Sequence, residues 1–432
     1  MDIIIENGTI LPMDRAIDSP LCFIGDIGIE SNRIVMVSTN KRHTDMFVQQ
    51  HPSCQRIDAS GCVVMPGLIN THTHIAMSLL RGISDDVPLM EWLNNHIWPV
   101  EAKMNYDSVL IGARLGAIEM LKGGTTSFVD MYPYQEAVAE GSVQTGIRAF
   151  LSPCAMDFRM EHYLKDVEAL ERRFKNNPLI TILTGIHALY TCSEENIKRC
   201  IDSSTKENSI IHIHNAETLD EIATVKEKYN TTPSEYLKRV GVLQRPTIAA
   251  HCVHMTDNDI EIFSKHHVSV AYNPQSNMKL ASGIAPVAKM LERGINVSIG
   301  TDGAASNNDL DMWEEMRTAS LLQKVFTRNP CALPAYQVLQ MATRHGAKAI
   351  GREGELGIIA EGALADVIIV DFNTPHLYPH TNIISELVYS CHASDVATVI
   401  VNGNIVVRDR VCQTVCEKDV CNSAEQHIKQ LL

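Results

Sequence analysis

Hydrophobic and polar positions follow two different periods along this chain. In residues 1 to about 60 short apolar runs are punctuated by turn pairs. Ile3-Ile4-Ile5 and Thr9-Ile10-Leu11 flank Asn7-Gly8, and Asp26–Glu30 and Arg33–Val37 flank Ser31-Asn32. Each pattern predicts a hairpin, and together they predict a small antiparallel sheet with too few strands to stand alone. From about residue 62 the texture changes. Apolar runs at 62–69, 125–130, 148–152, 179–186, 209–214, 247–251, 268–273 and 296–300 alternate with amphipathic stretches such as 107–122, 161–174, 193–207, 218–228 and 256–265. Eight nearly continuous apolar strands separated by helices predict a closed parallel barrel, whose strands are covered on both faces. After helical patterns at 309–323 and 335–350 the antiparallel texture returns: Asp366–Val370, then Val396–Val401 facing Asn404–Val407 across Asn402-Gly403. The expected fold class is therefore α/β. A (β/α)8 TIM-type barrel, residues 61–355, is inserted between the two parts, 1–60 and 356–432, of a smaller β-sandwich domain.

Composition narrows the function classes. The 432 residues are 45% hydrophobic and 20% charged, ordinary for a globular protein, and the net charge of −14 disfavours nucleic-acid or anionic-membrane partners. The start, Met1-Asp2-Ile3-Ile4-Ile5-Glu6, lacks the cationic and long apolar regions of a leader, which points to the cytoplasm. The twelve cysteines contain no Cys-x-x-Cys pair and several sit in apolar runs, so they read as reduced, mostly buried thiols. A homo-oligomer stays open.

Barrel chemistry sits at the C-terminal ends of the strands. There the chain places His72 and His74, His187, His214 with Glu217 just beyond, His251, and Asp302. In an extended segment His72 and His74 point the same way. With His214 and Asp302 they supply three imidazoles and one carboxylate, a set suited to one Zn²⁺ or Fe²⁺ with an open position. No lysine in the fourth run offers a bridge to a second metal. Glu217 is placed to donate a proton to a substrate, His251 to orient a water, and Asp302 to accept that water's proton. His212 alternates with His214 but lies deeper, in a supporting or core position.

Pro66–His74, His214 to Glu217, Ala250–His254 and Gly300–Ser306 together resemble the amidohydrolase superfamily, closest to the methylthioadenosine/S-adenosylhomocysteine deaminases, over nearly the whole chain. This branch also holds s-triazine chlorohydrolase-like enzymes and 5′-deoxyadenosine deaminases. The resemblance implies a zinc-dependent hydrolytic deaminase acting on a small nucleoside, with hydroxide attacking C6 of adenine while Glu217 protonates the adjacent ring nitrogen and ammonia leaves. The alternative is a relative acting on guanine, a pterin or an s-triazine. Carried over residue by residue, it implies that Glu101 holds the ribose hydroxyls, His187 contacts substrate, Trp92 walls the pocket, Ser306 reaches the purine and Arg159 grips a 5′ tail. Ser152-Pro153 stands where a second arginine is expected, which favours neutral or short 5′ groups.

Overall fold

The computed structural model describes residues 2–14, 21–87, 91–203 and 209–432. The chain ends meet in one mixed sheet of nine strands: β1 (Ile3–Ile10), β2 (Phe23–Glu30), β3 (Arg33–Ser38), β4 (Gln55–Asp58), β5 (Cys62–Pro66), and from the far end β15 (Val367–Asp371), β16 (Val396–Val401), β17 (Asn404–Arg408) and β18 (Val411–Cys412). Between them run β6 (Leu68–Thr73), β7 (Thr125–Tyr132), β8 (Arg148–Pro153), β9 (Ile180–Ile182), β10 (Thr184–Ile186), β11 (Ile211–Asn215), β12 (Thr247–His251), β13 (Ser269–Tyr272) and β14 (Asn296–Ile299). These pair in parallel as β6-β7-β8-β9 and β10-β11-β12-β13-β14. β9 and β10 are two halves of one run, interrupted at Leu183, whose N–H turns back to Leu151 O at 2.8 Å. The first and last strands of the set meet where Asp302 N–H donates to His72 O at 3.0 Å and the Thr71 hydroxyl to Ile299 O at 2.9 Å. The arrangement is a mixed α/β fold whose parallel sheets are consistent with a TIM-type barrel.

Three expectations need correction. The apolar run 62–69 is not one strand. Its first half is β5, which pairs with β1 and β15, and only from Leu68 does the chain enter the parallel set. Val63 and Met65 face the large core while Val64 joins Ile5, Ile27 and Ile369 in a second one, so β5 is apolar on both faces and reads like a barrel strand. Asn7-Gly8 is not a hairpin turn. Asn7 adopts a left-handed conformation (φ 61°) as a bulge inside the continuous β1, with a register shift between Ile5 and Gly8. Residues 41–50 form a helix rather than strand, capped by the Asn40 side chain and packing Phe47 on Ile4.

The other turn pairs stand. Ser31-Asn32 joins β2 to β3 and Asn402-Gly403 joins β16 to β17, and the two turns touch: a Cβ on Gly403 would lie 1.8 Å from Ser31 O. The helical pattern 335–350 splits into Ala335–Met341 and Arg344–Ala349, because the Ala342 carbonyl accepts from Ile69 N–H of β6 at 2.8 Å. Helix 193–207 appears as Glu194–Ser203, and residues 204–207 lie outside the described residues. None of the described helices is long and apolar enough to cross a membrane.

At the N-terminal end of β8 a buried ion pair ties the parallel strands to the sheet. Arg148 Nε and Nη2 donate to the two oxygens of Asp366 at 3.0 and 2.9 Å, and Asp366 also accepts from Asn402 N–H at 2.8 Å. Replacing Arg148 by Met strands a buried carboxylate and should lower stability by about 3–5 kcal/mol, whereas Arg148→Met with Asp366→Leu should recover most of it. Chemical denaturation of the three proteins measures this, and an unchanged midpoint in Arg148→Met would show the pair to be idle.

Candidate active site

His72 is the next-to-last residue of β6 and His74 follows the strand, so strand alternation sends both imidazoles into the same mouth. His214 comes from β11 and Asp302 from just beyond β14. Gly300 lets this last segment close in, since a Cβ there would lie 2.8 Å from His72 N and O. His74 Nε2 stands 3.3 Å from His214 Nε2 and 3.3 Å from Asp302 Oδ1, and His72 Nε2 stands 3.5 Å from the same oxygen.

These contacts are not ordinary hydrogen bonds. His74 Nδ1–H donates to Met131 O at 2.5 Å and His214 Nδ1–H to His187 O at 2.7 Å, which leaves both Nε2 atoms as lone pairs aimed at each other. His72 Nε2 is buried with no hydrogen-bond partner. Burial pushes His72 down to about 4 and His214 well below the ordinary histidine range, so these imidazoles are neutral. Burial alone would raise Asp302, but the close approach of His72, followed by His74 and His251, holds it well below the usual carboxylate range. Donors about 2.0–2.1 Å from one zinc ion stand a little over 3 Å apart, close to the 3.3–3.5 Å separations of these three pairs. The donor set fits a single Zn²⁺ held by His72, His74, His214 and Asp302.

Around this set, several residues that sequence reasoning passed over hold the groups in place. Asp302 Oδ2 accepts from the Ser276 hydroxyl at 2.6 Å and the Ser306 hydroxyl at 2.8 Å, which turns Oδ1 towards the histidines. Ser306 lines the cavity, but its hydroxyl is engaged with Asp302 and Gly303 O. His251 Nδ1 lies 2.8 Å from Asn277 Oδ1, so its Nε2 faces inward, 3.8 Å from Glu217 Oε2. Glu217 is 7% exposed and accepts from Ser282 at 3.3 Å. Burial raises its carboxyl, His251 opposes this, and Asp302 adds to it. The backbone beneath is held by Glu221, whose carboxylate accepts from Ala216 and Glu217 N–H at 3.0 and 2.8 Å. That residue closes the readable cap signal Thr218-x-x-Glu221. Ala216, His251 and Asp302 all have left-handed backbones, φ 52°, 69° and 62°, a concentration of strain typical of functional sites.

A cavity of about 610 Å³ opens from this cluster, lined by Trp92, Glu101, Arg159, His187, Glu217 and Ser306 among others. Trp92 donates from Nε1 to Ser84 O at 3.1 Å. Glu101 accepts from the Tyr132 hydroxyl, and its carboxyl is raised by burial against that bond. His187 Nδ1 lies 2.9 Å from Thr191 Oγ1. The Arg159 guanidinium makes no hydrogen bond or ion pair among the described residues. Ser152 does not face the cavity. It is fully buried, 3.0 Å from His212 Nδ1, so its identity says nothing about a substrate tail.

Lone pairs converging at the C-terminal mouth of a parallel α/β set demand a cation, and they make this chain a metal-dependent hydrolase in its architecture. It belongs to the amidohydrolase family, whose model, described as "Amidohydrolase family", matches residues 63–406. It is 46% identical over 413 residues to a 5′-deoxyadenosine deaminase of Methanothermobacter thermautotrophicus, covering 94% of this chain and 95% of that one. It is 45% identical over 427 residues to a 5-methylthioadenosine/S-adenosylhomocysteine deaminase of Carboxydothermus hydrogenoformans, covering 97% and 96%. Among solved structures it matches a zinc-bound adenosine deaminase of Xanthomonas campestris at 32% identity and a TM-score of 0.93, over 100% of this chain and 98% of that one.

The approach of Gly300 to His72 gives a direct check. Gly300→Ala should displace the His72 backbone and reduce zinc below one per chain, measured by elemental analysis after dialysis. Full zinc occupancy would show that the strand can yield without disturbing the ligands.

Proposed function

We propose that this protein hydrolytically deaminates the adenine ring of 5′-substituted adenosines, such as 5′-methylthioadenosine, S-adenosylhomocysteine, 5′-deoxyadenosine or adenosine, giving the hypoxanthine ring and ammonia. The observation that carries the reading is a buried carboxylic acid, Glu217, facing His251 across the mouth that holds the zinc ligands. The near full-length relatives named for these substrates support it.

Zinc held by His72, His74, His214 and Asp302 would supply hydroxide at neutral pH by lowering the pKa of a water to about 7. The chain's own groups do the rest. Glu217, whose carboxyl is shifted by burial towards its protonated form, gives a proton to the ring nitrogen beside C6 and so makes C6 electrophilic. His251, with Nδ1–H fixed by Asn277, directs Nε2 at the attacking oxygen. Asp302 Oδ1 takes the proton released on attack and delivers it to the departing amine, while Ser276 and Ser306 hold Oδ2 aside. Glu101 accepts from the ribose hydroxyls, His187 and Trp92 bound the nucleoside, and Arg159 meets the 5′ substituent. The parallel set is the (β/α)8 catalytic unit, and the sheet built from both chain ends, which has an apolar core of its own, is a second, β-sandwich unit.

The test is ammonia release from a panel of 5′-substituted adenosines, with guanine, a pterin and an s-triazine as competitors, with and without a chelator. Loss of the adenine absorbance in favour of hypoxanthine is expected, and a zinc-loaded enzyme inert towards every adenosine would end the proposal. Glu217→Gln should keep one zinc per chain while turnover falls by roughly 10² or more, and full turnover would remove Glu217 from its role. Glu101→Ala should cost a ribonucleoside more in kcat/KM than its 2′,3′-dideoxy analogue, and equal losses would separate Glu101 from the ribose.

A further inference from the structure

The three imidazoles aimed at the zinc position are not held alike. His74 and His214 give their Nδ1 protons to main-chain carbonyls. His72 meets another side chain: its Nδ1 lies 2.8 Å from His212 Nε2, and His212 Nδ1 lies 3.0 Å from Ser152 Oγ. All three residues are fully buried. His212 is not among the side chains that converge on the metal position.

One requirement sets the direction of this chain. For His72 to offer its Nε2 lone pair beside Asp302, its proton must sit on Nδ1. His212 then accepts at Nε2 and carries its own proton on Nδ1, towards Ser152 Oγ. The opposite order would put a proton on His72 Nε2, in the position the cation needs, where that nitrogen has no protein partner. A main-chain carbonyl could only accept and would need no help, but an imidazole acceptor has two tautomers, and Ser152 Oγ, 3.0 Å from His212 Nδ1, can accept the proton of the tautomer this order requires.

We propose that His212, backed by Ser152, is a positioning residue that fixes the tautomer and ring orientation of His72 and thereby the zinc affinity of the site. The proposal rests on the metal reading above. It also gives β11 a double part, since the strand that supplies His214 supports a second ligand from two residues earlier.

Wild type, His212→Leu, His212→Gln and Ser152→Ala are compared by zinc content, by competition with a chromophoric chelator for zinc, and by melting of the metal-free proteins. His212→Leu removes the acceptor and should weaken zinc binding 10- to 100-fold. His212→Gln restores an acceptor oxygen near the position of Nε2 and should stay within a few-fold of wild type. A merely structural role would instead lower the metal-free melting temperature and leave the Leu–Gln difference in zinc affinity absent. Wild-type zinc affinity in His212→Leu, or equal weakening in His212→Gln, overturns the proposal. Should His212→Leu fail to fold, Ser152→Ala decides: faster zinc transfer to the chelator supports the relay and an unchanged rate overturns it. Failure of the metal reading itself is recognised separately, by a wild-type protein that binds no zinc.

Discussion

Two imidazole Nε2 atoms 3.3 Å apart, each on a ring whose Nδ1–H is committed to a main-chain carbonyl, face each other with lone pairs that repel unless a cation lies between them. Much of the local architecture serves that encounter. The Met131 and His187 carbonyls hold the far nitrogens, two serines turn the carboxylate, and Asn277 orients the neighbouring histidine. A desolvated lone pair left without a partner costs free energy, so the ligands are held in an arrangement completed by zinc rather than by the protein. Electrostatic preorganisation of this kind is what lets a site act without rearranging during the reaction.

Holding four donors from segments more than 200 residues apart requires a rigid frame. The frame is fastened at the end opposite the chemistry, where Arg148 and Asp366 join the parallel strands to the sheet of the chain ends. Near the site the strands meet without side-chain bulk at Gly300, and Asn70 bridges the same seam by bonding Thr301 through both ends of its amide. Stability at one end and the polar functional groups at the other is the division of labour expected of a parallel barrel.

The ligand positions were legible because strand ends carry their chemistry in the sequence itself: His72, His74, His214 and Asp302 each close an apolar run. The parallel strands were legible for the same reason, and the boundary with the sheet was not. β5 is covered on both faces, so Val63-Val64-Met65 carries the same hydrophobic signature as the barrel strand that follows Gly67. Asn7-Gly8 misled because the left-handed conformation that makes a hairpin turn also makes a bulge. Ser276, Asn277 and Ser282 come from the segment after β13, where a serine or asparagine carries no periodic signal; only their distances to Asp302, His251 and Glu217 reveal them. Ser152-Pro153 suggests a missing arginine only while the direction of the last residues of β8 is unknown; in the fold Ser152 turns to His212.

One strand brings these threads together. β11 carries His212, which touches His72, and His214, which faces the zinc position. It then breaks at the left-handed Ala216, so that Glu217 leaves the strand direction and enters the cavity. Glu221 fastens that break by accepting both freed N–H groups, and burial lifts its own carboxyl to about 7. Metal support, metal ligation and the proposed proton donor are therefore set by the path of a single segment. A shift of β11 would move all three at once, which is why its run Ile211–Asn215 is buried throughout although two of its five residues are histidines.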